Sequence, residues 1–126
     1  MDWRQQALAL GGALTIGLLI GIERGWSLRT APDGSRVAGI RTFMLLGLVA
    51  GIAGFVAALG QTLAGGAVVA AAVAMLALAH ARPLREVPDA TSAISALFVI
   101  AAAFMSGLGY PGPAIAAGAI AVLVLA

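Results

Sequence analysis

The stretch ALALGGALTIGLLIGIERGW, Ala7 to Trp26, decides the fold. It runs without a charge from Ala7 to Ile22 and then meets Glu23 and Arg24 at once. Uncharged apolar runs of about 18 residues match the hydrocarbon thickness of a bilayer when helical. Trp3 and Trp26 bracket this one, as interfacial aromatic anchors do. Four more apolar segments follow. The five helices are expected over about 6–23, 41–59, 63–80, 90–106 and 113–126.

Composition agrees with that reading. Of 126 residues, 62% are hydrophobic and 10% charged, too few charges to cover a soluble domain of this size. The fold class is therefore all-α: a polytopic transmembrane bundle forming a single domain over residues 1–126. Reading Gly107 to Pro113 as a re-entrant turn gives a four-helix alternative. The last segment, at about 14 residues, spans roughly 21 Å and is short for a bilayer. It ends in AVLVLA without a polar cap, so the expectation is the N-terminal part of a longer protein.

Cysteine is absent and His80 is the single histidine. Disulfides, thiolate metal sites and a histidine metal cluster within one subunit are excluded. All the basic side chains are arginines. Arg24, Arg29, Arg36, Arg41, Arg82 and Arg85 fall on one side of the five-helix arrangement, and Arg4 on the other. The positive-inside rule puts the six in the cytoplasm, with the N-terminus outside and the C-terminus inside. In a membrane protein this excess reports topology, and no nucleic-acid partner is expected. The loop after the first helix carries a turn signal at Pro32-Asp33-Gly34.

Gly17 and Gly21, Gly21 and Gly25, and Gly47 and Gly51 stand four residues apart. This spacing lets helix backbones approach closely in lipid. It predicts tight helix packing or a homodimer. Chance pairing among 17 glycines is the plain alternative.

Few polar residues are left to carry function. Arg24 suits a helix C-terminus and Glu23 does not, because the helix dipole ends negative there. A carboxylate at that depth needs a partner. Arg41, opening the second helix, or Arg24 of another subunit would supply one. A structural ion pair, a functional site and a solvated helix end all remain open for Glu23. Arg41 opposes the dipole of its own helix, and Thr42 follows it. Asp89, Thr91 and Ser92 read as an N-terminal cap of the fourth helix. Ser92, Ser95 and Ser106 would line a polar path if they shared a face. No titratable residue lies in the middle of any segment, which argues against a proton-coupled carrier within one subunit. No phosphate loop, Ser-His-Asp set or HExxH is present. No enzymatic activity and no cofactor are expected.

Taken together, GLLIGIERGW, SRVAGIRTFMLLGL and DATSAISALFVIAAAFMSGLGY resemble the MgtC/SapB family of bacterial inner-membrane proteins. The first helix ends in the family's G-L-x-x-G-x-E-R pattern at Gly17 to Arg24. Its G-[LI]-R-T motif falls at Gly39 to Thr42. The resemblance covers almost the whole chain. It implies a multi-pass bacterial inner-membrane protein associated with growth at low magnesium and with survival inside macrophages. In some members it implies inhibition of the membrane ATP synthase. Two departures stand out. Ala93 occupies the place where one branch has glutamate after a Thr-Thr pair, and the cytoplasmic C-terminal domain of many relatives has no counterpart within these residues. The expected function is a small regulator linked to magnesium homeostasis or membrane energetics. It would act through a partner membrane protein or as a dimer in the lipid bilayer. The alternative is an ion or small-solute conduit with Glu23, Arg24 and Arg41 at its cytoplasmic mouth.

Overall fold

The computed structural model describes residues 1–30, 39–81 and 90–126. Five helices form: α1 (Trp3–Ser27), α2 (Ile40–Ala58), α3 (Thr62–His80), α4 (Ala90–Gly107) and α5 (Pro111–Leu125). The first four are long and apolar enough to cross a membrane, while α5 is shorter. No strand occurs among the described residues.

Local chemistry sets the helix ends. Asp2 and Gln5 form a capping box, each side chain accepting from the other's backbone N–H. This starts α1 three residues before the expected boundary. At the other end, Arg29 donates to the Trp26 carbonyl at 2.8 Å and stacks over the Trp26 ring at 4.0 Å. The same carbonyl accepts from the Arg29 backbone N–H, and a cation there suits the dipole. The α2–α3 and α4–α5 turns use one device. Gly60 and Gly109 adopt φ of +96° and +113°, where glycine avoids a Cβ clash. Gln61 N–H reaches back to the Val56 carbonyl, and Tyr110 N–H to that of Met105, closing a Schellman turn at each helix end. Pro111 then occupies the first turn of α5, where its missing N–H leaves no bond unmade.

α1 lies between α2, α4 and α5, and α4 touches all four other helices. α1 runs antiparallel to α2 and α4 and parallel to α5, as the partners of Gly17, Gly12 and Gly118 show. Ile16, Ile20, Phe43 and Val99 are fully enclosed at the centre. α3 is peripheral: only 6% of its apolar window is buried, against 50% for α4. Leu63, Met75 and Leu78 point outward from it, as lipid-facing side chains do.

Glycine sets the inner spacing. A Cβ on Gly17 would overlap the Phe43 carbonyl oxygen, and one on Gly51 the Ala13 side chain. At Gly47 it would lie 2.6 Å from the Ala13 oxygen. Gly21 faces Phe43 and Ile40 more loosely, and a Cβ on Gly25 would make ordinary contact with the Ile40 side chain. The glycine pairs singled out in the sequence therefore join α1 to α2 within one chain. α2 and α4 cross by the same means, with Gly54 on the Phe104 carbonyl and Gly107 on that of Gly51.

Candidate functional site: a buried Glu–Arg pair between α1 and α4

Successive helix positions point about 100° apart, so neighbours rarely share an environment. Glu23 and Arg24 are nevertheless both buried, because α1 is covered on several sides at this level. Arg24 Nη1 donates to Glu23 Oε2 at 3.4 Å, the ion pair seen among the described residues. Arg24 Nε donates to Ser92 Oγ at 3.2 Å, tying α1 to the first turn of α4. The Ser27 hydroxyl, one turn on, donates to Glu23 Oε1. Ser27 was not anticipated as a partner. Its i, i+4 offset from an acid that needed one was the available signal.

The Glu23–Arg41 pairing is not the one formed. Glu23 meets the arginine beside it, and Arg41 and Thr42 are exposed at the start of α2. The reason lies in the interface: α2 turns Ile40 and Phe43, not Arg41, toward Gly21 and Gly25 of α1. Thr91 is exposed, and its carbonyl accepts from Ser95 Oγ at 2.7 Å. Asp89, Arg36, Arg82, Arg85, the His80 side chain and the Pro32–Gly34 turn lie outside the described residues.

Ser92, Ser95 and Ser106 do share the buried face of α4. They do not join. Ser92 holds Arg24, Ser95 turns to its own helix, and Ser106 donates to the Ala9 carbonyl at 2.7 Å. Fully buried Val99 and Ala103 lie between them. α1 and α4 are thus bonded near both ends and packed by apolar side chains in between.

This arrangement can hold charge in a poorly hydrated place. One carboxylate and one guanidinium neutralise each other, and two serines occupy part of their remaining hydrogen-bonding capacity. No group of three or more His, Cys, Asp or Glu side chains able to hold a metal ion occurs among the described residues.

A multi-pass helical membrane protein, with its one described buried ion pair at the end of the first helix, is the class these features define. The chain matches the MgtC family over residues 10–126 and belongs to that family. No curated protein and no solved structure matches it.

Proposed function

We propose that this chain is an MgtC-like regulator of the bacterial inner membrane, linked to magnesium homeostasis or membrane energetics. It acts through contacts with a partner membrane protein and does not carry a solute through its own bundle. The supporting observation is how the middle of the bundle is closed. Gly17, Gly47, Gly51, Gly54 and Gly107 bring helices to backbone contact, and Ser106 is bonded to a backbone carbonyl. A path for ions needs polar groups facing a lumen, and these face one another. The arginine asymmetry supports an outside N-terminus.

The conduit remains the second reading, because Glu23 and Arg24 are charged and buried at one end. Magnesium flux into proteoliposomes separates the two. The expected result is no protein-dependent flux for wild type or Glu23→Gln, while growth at low magnesium depends on the wild-type chain. Flux in wild type that disappears in Glu23→Gln would overturn the regulator in favour of the conduit.

A further inference from the structure

The bundle is level at one end and stepped at the other. At the Trp26 end, a Cβ on Gly25 would contact Ile40, and Arg24 donates to Ser92. The first turns of α2 and α4 therefore stand level with the last turns of α1. At the Trp3 end the helices part. A Cβ on Gly51 would meet Ala13, and α2 runs on to Ala58, about 10 Å of further rise. This carries the α2–α3 turn up to near Trp3. α4 instead stops at Gly107, beside Gly51. A Cβ on Gly12 would lie 3.1 Å from Pro111 Cβ, so α5 begins about 14 Å of helix rise inward from Trp3. Tilting the bundle moves both ends together and cannot remove a step at one of them.

Trp3 and Trp26 are about 35 Å apart along α1. A flat hydrocarbon core of about 30 Å would reach close to both and enclose the start of α5. The two sides of the step differ chemically. Leu59 and Leu63, at the α2–α3 turn, are exposed at 65% and 91% and suit hydrocarbon. At the α4–α5 turn, Tyr110 is 60% exposed, and its hydroxyl has no hydrogen bond among the described residues. Pro111 and Pro113 have no N–H, and the Ala114 N–H donates to the Tyr110 carbonyl at 3.3 Å. The Gly112 N–H is left, exposed and without a hydrogen bond among the described residues. Hydrocarbon penalises both groups, whereas tyrosine suits the membrane–water interface. A span too short for the bilayer is met by thinning of the bilayer around it.

We propose that the leaflet at the Trp3 end dips against the α4–α5 turn. Lipid headgroups and their water there reach the Tyr110 hydroxyl and the Gly112 N–H, about 10 Å deeper than around α2 and α3.

The chain has no cysteine, so single-cysteine variants report without background. Gly112→Cys probes the dip, and a Cβ there meets nothing within 4 Å. Ala67→Cys, on the exposed side of α3, lies no deeper, and Gln61→Cys marks the α2–α3 turn. Each is reconstituted in dioleoyl phosphatidylcholine liposomes, with a charged maleimide on both sides of the membrane. A thiol reacts as its thiolate, which an apolar surrounding suppresses, so Gly112→Cys should react about tenfold or more faster than Ala67→Cys. Its rate should approach that of Gln61→Cys. In thinner dimyristoleoyl bilayers Ala67→Cys should gain reactivity while Gly112→Cys changes little. Gly112→Cys as slow as Ala67→Cys, in protein shown helical by circular dichroism, would overturn the proposal, since the leaflet would then be flat or a second copy would cover the turn. Equal, fast labelling of all three variants would also overturn it, because the bundle would then sit shallow on every side.

Discussion

Gly47→Ala is the sharpest test of the packing that holds this bundle together. The added methyl would sit 2.6 Å from the Ala13 carbonyl oxygen and 3.2 Å from the Gly17 Cα. Favourable contact begins near 3.5 Å, so α1 and α2 must separate by about 1 Å. Both obstacles are backbone atoms, which no rotamer change can remove. Overpacking of this kind costs ~1–3 kcal/mol, and alanine returns ~1 kcal/mol through helix propensity. The net expectation is a loss of up to ~2 kcal/mol. Gly66→Ala provides the contrast, since a Cβ there meets nothing within 4 Å, and it should gain ~0.5–1 kcal/mol. Reversible unfolding from mixed micelles, followed by far-ultraviolet circular dichroism, measures both variants against wild type. Opposite signs are required. A stabilised Gly47→Ala would mean that α1 and α2 are not held at glycine distance, and the closed-bundle argument would fail with it.

The polar contacts make further demands on the same unfolding assay. Arg24→Gln leaves Glu23 buried beside a neutral group and should lose ~3–5 kcal/mol, the effect of breaking a buried pair from one side. Ser92→Ala removes the hydrogen bond to the Arg24 guanidinium and should lose ~1.5–3 kcal/mol. Arg41→Gln changes an exposed side chain and should stay within ~0.5 kcal/mol of wild type; a loss as large as that of Arg24→Gln would restore Arg41 as the partner of Glu23. Ser106→Ala should cost about 0.6 kcal/mol, typical of a hydrogen bond between membrane helices.

The helices were legible because a bilayer allows few solutions: an uncharged run of the right length must be helical or leave its backbone unbonded. The turn at Gly107 to Pro113 was legible for a related reason, since glycine and proline there match a helix stop and a helix start. The glycine spacing of α1 and α2 pointed to close approach but not to its partner, because the same pattern serves contacts within a chain and between chains. Only the three-dimensional contacts show Gly17 against Phe43 and Gly47 against Ala13. Glu23 was legible as an acid in want of a cation. Its actual partner went unrecognised because adjacent helical residues normally diverge, and the Arg24 guanidinium reaches Glu23 only where the helix is covered on several sides. The peripheral place of α3 left no trace in composition, since lipid and protein interior are both apolar and hydropathy cannot tell them apart. The buried positions of α1 mix glycine, alanine and isoleucine with Glu23 and Arg24, so hydropathy alone does not mark the face that meets its neighbours. That is why glycine, serine and one ion pair, and not the abundant leucine and valine, carry the information about which helices meet.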